Sequence, residues 1–295
     1  VFLFLSAYGL TMKYEKQEEV ARGNCQLVQE KLPVWCFIKY HWLKLFSMMI
    51  VGFVAFTMLD AITPSPHHYA VIDIIGQMGL FNNLLPHPDD IIWPGPYWFF
   101  GLMIQFYIVY RLCLFRRHWV WNVLLIAICA AIQLACDPEG EALNRWRYNF
   151  VGGMLPFGFG VLYARYMRPL NTATHLVLFL LSLFAIVLMS FNYVTWYCVP
   201  LAVCIASVSF VKLTSRLQVA QKEYKTGFMA MLTWVGSISA ALFVCHPITR
   251  KIFIPLSREG DYWTGLLLYI ISSICLAWLF KELMKRIPSP RLKNR

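Results

Sequence analysis

The sequence predicts an all-α, polytopic membrane protein with about eight full transmembrane helices and a partial first one. Composition gives the class: 59% of the 295 residues are hydrophobic, only 14% are charged, and the mean hydropathy is +0.57. A soluble domain of this length would need far more polar surface. Apolar runs of roughly bilayer length, about 20 residues each, recur along the chain. The basic residues cluster in alternate loops, so the net charge of +11 reads as membrane topology rather than nucleic-acid binding.

The elements follow in order. Residues 1–11, VFLFLSAYGLT, form an apolar run too short to span, with no basic leader or cleavage site, so it is not a signal peptide. It reads as the second half of a helix, and the chain as N-terminally truncated. Residues 12–36 are polar and charged and read as a solvent loop. Residues 37–59 are the first full span, entered through Lys39, His41 and Lys44. Residues 60–96 contain no Lys or Arg. Their one apolar piece, 70–85, carries Asp73, Gln77, Asn82 and Asn83, which favours an interfacial or re-entrant segment over a span. Further spans are expected at about 97–115, 119–136, 148–164, 174–190, 194–211, 228–245 and 263–280. No repeat is evident, and residues 1–295 read as a single domain ending in a basic tail, 286–295.

Assigning alternate loops to opposite sides puts 21 of the 26 basic residues on one side and five on the other. The basic side is cytoplasmic by the positive-inside rule. The tail and C-terminus are then cytoplasmic, residue 1 lies outside, and a chain with both ends inside needs one more helix before it.

The chain is organised around residues 93–111, WPGPYWFFGLMIQFYIVYR. Two prolines and a glycine make its opening a turn, and an apolar run follows to Arg111. Tyr97 and Trp98 sit where amphipathic rings prefer the headgroup level. Gln105 is an amide near the middle, where an unpaired polar group is costly. With Trp98, Gln105, Phe106 and Tyr107 in this order, the stretch resembles the W-x-L-x-x-E-x-Q-F-Y signature of the acyltransferase 3 family, with Met103 replacing the glutamate. Phe4, Leu5, Ser6, Tyr8, Gly9 and Leu10 resemble the family's FFxLSGYGL segment, with Ala7 in place of a glycine. The alternative reading of Ser6 and Gly9 is close helix packing.

The resemblance implies an integral-membrane enzyme that O-acylates sugars. It further implies acyl-CoA, by family default acetyl-CoA, as co-substrate, with no metal. The family's base, a histidine paired with an arginine in its first transmembrane helix, is expected before Val1, which leaves the catalytic residue of this chain unknown. Three candidates lie within the chain: His246, Gln105 and Tyr107. Residues 234–247, WVGSISAALFVCHP, resemble a family pattern through Gly236, Ser239, His246 and Pro247, and put His246 near the outer end of its helix. The bland reading is a helix-terminal histidine bonded to a backbone carbonyl. His41 and Lys44, one turn apart with Lys39 nearby, occupy the place of the family's R-x-x-R motif and become candidates for the phosphates of coenzyme A. The alternative is ordinary positive-inside anchoring with Lys44 snorkelling. Gly152, Gly153, Pro156 and Gly158 suit a kink and close packing. His175 and Asn192 are expected to cap helices.

The implied partners are membrane lipid and a carbohydrate acceptor, surface polysaccharide being the commonest class, in a bacterial cytoplasmic (inner) membrane. Oligomeric state is not legible, and nucleic acid is not a partner. Nine cysteines without a CxxC read as small buried hydrophobes. A glycan or lipid-linked-sugar transporter or flippase is the competing class. It would want ionisable groups inside the membrane, whereas all 15 acidic residues are expected in loops or at helix edges.

Overall fold

The structure is a computed structural model that describes residues 1–16, 33–64, 66–85, 94–220, 227–259, 261–288 and 290. Most of the 12–36 loop, Trp93 and residues 291–295 of the tail lie outside the described residues. The described residues are helical, without strands. The helices are α1 (Phe2–Thr11), α2 (Val34–Ile62), α3 (Val71–Gly79), α4 (Trp98–Val109), α5 (Trp119–Leu134), α6 (Glu141–Arg147), α7 (Phe150–Tyr166), α8 (Thr172–Met189), α9 (Tyr193–Trp196), α10 (Val199–Ala220), α11 (Gly227–Glu259) and α12 (Tyr262–Arg286). Five segments are long and apolar enough to cross a membrane: Val34–Ile62, Gly95–Leu114, Thr172–Met189, Ala230–Pro255 and Tyr262–Arg286. The other three expected spans emerge as the helices α5, α7 and α10.

Burial confirms lipid as the surrounding solvent. In α8, Leu180, Phe184, Val187 and Leu188 are each more than half exposed, while His175 and Ser182 are buried. A helix in water does the reverse. Helix starts follow local chemistry: Asn171 Oδ1 accepts from Thr174 N at 2.7 Å, Asn192 Oδ1 from Val194 N at 2.9 Å, and Asp261 Oδ1 from Trp263 N at 3.1 Å. Asn192 caps as expected. His175 does not, because Asn171 holds that position and His175 lies buried within α8. Pro200 fits the first turn of a helix but not its interior, so α10 starts at Val199 instead of near residue 194.

The chain forms two compact units, and the division falls inside α4. One comprises residues 1–34 and 105–224, the other residues 35–104 and 225–295. In the first, α1 lies against α7 where Ala7 is fully buried. A Cβ on Gly160 would come within 2.9 Å of the Ala7 Cβ, so close approach explains that glycine. Phe106 stacks on Phe157 at 4.3 Å. Asn122 Nδ2 donates to Gly158 O at 2.9 Å, and Gln133 Nε2 to Val151 O at 2.9 Å, tying α5 to α7.

The second unit contains α2, α11, α12 and a re-entrant hairpin. Thr249 and Ser273 share a hydroxyl–hydroxyl bond at 2.7 Å, and Lys281 Nζ donates to Ser237 Oγ at 2.8 Å, joining α11 to α12. The hairpin is α3, a left-handed Leu80 (φ 59°) and the 3₁₀ turn Asn82–Leu84. Tyr69, just before it, donates to Asp60 Oδ2 at 3.1 Å near the C-terminal end of α2. Gly79 O, at the end of α3, accepts from Trp42 Nε1 at 3.2 Å near the other end. Those two α2 positions are about 27 Å apart along the helix axis at 1.5 Å per residue. The segment therefore lies alongside α2 at membrane depth, and of the two sequence expectations the re-entrant one holds.

Candidate active site

Two of the sequence motifs meet inside the second unit. The 3₁₀ turn Gly95–Tyr97 leads into α4 and delivers three aromatic rings to α11. Tyr97 is fully buried and donates its hydroxyl to Val244 O at 2.7 Å. Phe99 and Phe100 lie edge-on to Phe243, centroids 5.4 and 5.7 Å away. Gly52 of α2 makes room for this junction, since a Cβ there would lie 3.0 Å from Val244 O. Trp98 is half-buried beside Phe99, centroids 6.2 Å apart.

His246 sits on the next stretch of α11. Its expected place near the outer end of the helix is corrected: α11 runs on through Pro247 and Pro255 to Glu259. Proline 247 has no N–H and leaves the carbonyl of residue 243 without its helical donor. His246 Nδ1 takes that carbonyl, Phe243 O, at 2.9 Å, and approaches Leu242 O at 3.2 Å. A carbonyl only accepts, so Nδ1 carries the proton and Nε2 is the basic nitrogen. The His-Pro pair thus continues the helix and fixes one tautomer of a half-buried imidazole. The carbonyl bond of the bland reading is present, but at mid-helix.

At the start of α2, Lys39 and Lys44 are exposed, whereas His41 is buried, 4.5 Å from the Phe37 ring and 5.1 Å from Tyr40. The three do not present one exposed basic face. The two lysines form the solvent-facing part, and His41 packs inward.

The remaining candidates belong to the first unit. Gln105 Nε2 donates to Asn149 Oδ1 at 2.7 Å, and its Oε1 accepts from Phe150 N at 2.9 Å. Asn149 Nδ2 in turn donates to Arg145 O at 2.8 Å. Gln105 therefore supplies from α4 the cap that Asn149's own side chain does not give α7. Tyr107 is half-buried on the same helix. Ser6 and Tyr8 are half-buried in α1, with the Tyr8 ring 6.0 Å from Tyr163. Gly9 is exposed, and a Cβ there would meet nothing within 4 Å. Of the packing alternative, Ala7 makes the close contact and Gly9 does not.

Two charged clusters went unread in the sequence. Asp60, 1% exposed, pairs with Lys251 of α11 and with His67 Nδ1 at 3.1 Å, and accepts from His67 N at 2.9 Å and from Tyr69 OH. Glu15 holds Arg165 in a two-point pair, Oε2 to Nε at 2.7 Å and Oε1 to Nη2 at 2.6 Å, and accepts from Tyr110 OH at 3.0 Å. Arg165 also donates to Leu114 O at 2.7 Å, so this pair joins the π-helical turns Met12–Lys16 and Tyr110–Leu114. Both stand at helix edges, as expected of the acidic residues, Asp60 near the end of α2 and Glu15 near the end of Met12–Lys16, and each is held against a cation, the condition under which burial is tolerated. Arg250 and Lys251, two of the five basic residues assigned to the less basic side, are helical residues of α11. A lone acid at the end of an apolar run was the only signal for Asp60. Among the described residues, no group of three or more His, Cys, Asp and Glu side chains could hold a metal ion.

The comparisons bear on the whole chain. No curated protein and no solved structure matches it. The family model described as an acyltransferase domain, that of the acyltransferase 3 family, matches residues 1–282. That match covers nearly the full sequence, including both aromatic motifs and the His-Pro helix, and the chain is a multi-pass membrane acyltransferase belonging to the acyltransferase 3 family.

Proposed function

We propose that this acyltransferase moves an acetyl group from acetyl-CoA to a hydroxyl of a cell-surface or lipid-linked carbohydrate, in a bacterial cytoplasmic membrane with its C-terminus inside. The observation that carries the chemistry is His246, whose Nδ1 is committed to Phe243 O, leaving Nε2 to act on a substrate proton. In the reaction, Nε2 accepts the proton of the acceptor hydroxyl, and the oxygen attacks the thioester carbonyl. A carbon–oxygen bond forms and the carbon–sulfur bond breaks. The leaving thiolate takes the proton back from Nε2, so an O-acyl sugar and coenzyme A leave and the histidine is restored. Lys39 and Lys44, exposed at the start of α2, are the proposed partners of the donor's phosphates, as point charges without the two-point geometry of arginine. His41, buried beside them, positions that turn.

The test is transfer of radiolabelled acetyl from acetyl-CoA to the carbohydrate fraction of membrane vesicles, read as alkali-labile label per mole of protein. His246→Asn keeps a donor for Phe243 O and removes Nε2. Its label falls at least a hundredfold at unchanged abundance, the scale of general-base catalysis. Wild-type label in this variant removes His246 from the chemistry. A transporter would move lipid-linked sugar across the same vesicles with no label incorporated, and that result would replace the enzyme reading.

A further inference from the structure

The re-entrant hairpin has no part in the chemistry above, yet it carries the most unusual polar arrangement in the second unit. Its helix is inside out: Val71, Ile72 and Ile75 are 72%, 54% and 53% exposed, while Gln77 and Asn82 are 3% and 1% exposed. The carboxamides therefore face protein. Asn82 Nδ2 donates to Gln77 Oε1, and Asn83 N donates to Asn82 Oδ1 at 2.9 Å. Gln77 Nε2 is buried and has no hydrogen-bond partner among the described residues. At membrane depth water does not stand in for a partner, and such a group is found where it lines a functional cavity.

The surroundings define what would complete it. The tip turns through Leu80, 2% exposed, and rests on Gly101 of α4, where a Cβ would meet the Asn83 carboxamide first and lie 3.1 Å from Leu80 O. Phe100 and Leu102, flanking that glycine, are each 2% exposed. One unmatched buried N–H donor suits a carbonyl acceptor. The tip is also tied, through Trp42 Nε1 and Gly79 O at 3.2 Å, to the turn of α2 that bears His41 and Lys44.

We propose that the hairpin tip is a subsite for the acyl donor, with Gln77 Nε2 donating to a carbonyl of its thioester or of its pantetheine-type arm. This rests on the acyl-CoA reading and names the residue that receives the donor's uncharged part. Charge at Lys39 and Lys44 would hold one end of the ligand and the buried amide a carbonyl of the other.

The purified full chain is titrated with acetyl-CoA, and separately with free coenzyme A, while thermal unfolding is followed. Gln77→Met keeps the side-chain length and removes the unmatched donor. Its unfolding temperature falls modestly, because Gln77 Oε1 also accepts from Asn82 Nδ2 and that bond is lost with it, while half-saturation by acetyl-CoA rises at least tenfold. A rise for acetyl-CoA alone assigns the thioester carbonyl, and a rise for both ligands assigns an arm amide. Gln77→Glu retains the acceptor for Asn82 and serves if the Met variant does not accumulate. Wild-type half-saturation in the variant would make Gln77 a packing residue and overturn the proposal alone. A wild-type protein that does not respond to acetyl-CoA would overturn the acyl-CoA reading together with it.

Discussion

Replacing Gln105 by leucine separates a catalytic from a structural meaning of the central signature. The side chain makes two bonds, one to Asn149 Oδ1 and one from Phe150 N. Polar bonds between membrane helices average about 0.6 kcal/mol each, so losing the pair costs on the order of 1 kcal/mol. Asn149 is only 6% exposed, and a buried polar group left without its partner adds about 1–3 kcal/mol. A total of roughly 2–4 kcal/mol is a large share of a typical 5–15 kcal/mol stability. Gln105→Leu should therefore lower membrane abundance and unfolding temperature together, with transfer per mole of folded protein kept within a few-fold. Gln105→Glu, which keeps the acceptor for Phe150 N, should fall between. A Gln105→Leu/Asn149→Ala cycle should show a coupling energy of about 0.6–1.7 kcal/mol. A Gln105→Leu protein with wild-type stability and no transfer would refute this reasoning and return Gln105 to the chemistry.

Lys251→Met should destabilise by up to about 3–5 kcal/mol, since it takes the cation from the buried Asp60 carboxylate, and Asp60→Asn by less, because the Lys251 ammonium it leaves is partly exposed. The double variant should recover part of that loss, read as unfolding temperature in the same detergent. Pro247→Ala returns a backbone N–H to the Phe243 carbonyl, competing with His246 Nδ1. Transfer should drop while the unfolding temperature holds or rises, because an interior proline costs a helix about 3 kcal/mol. In intact cells, cysteines introduced at His67 or His68 should react with an impermeant maleimide and cysteines at Gln77 or Asn82 should not. Labels at Lys212 and at the C-terminus should require permeabilised cells. Labelling of Lys212 from outside would overturn the charge-derived orientation.

The sequence by itself determined that this chain crosses a membrane repeatedly and where its apolar helices fall. Bilayer thickness imposes a length and a polarity that any apolar run displays locally. The eight expected spans appear as helices, and the polar residues in 70–85 announced a segment that could not span. The aromatic and His-Pro motifs, being short and ordered, also carried the family. Tertiary structure alone decided the partners of the polar groups. Gln105 looks the same in sequence whether it caps α7 or faces a substrate, because its partner is 44 residues away. Asp60 and Lys251 are 191 residues apart, and each alone is indistinguishable from a charge at a loop boundary. His246 combines both cases. The proline beside it is visible in the chain, but that the helix continues beyond it, with the imidazole taking the freed carbonyl, depends on α2, α4 and α12 packing around α11. Hydrophobic periodicity is a property of a segment, and hydrogen-bond complementarity is a property of pairs brought together by folding.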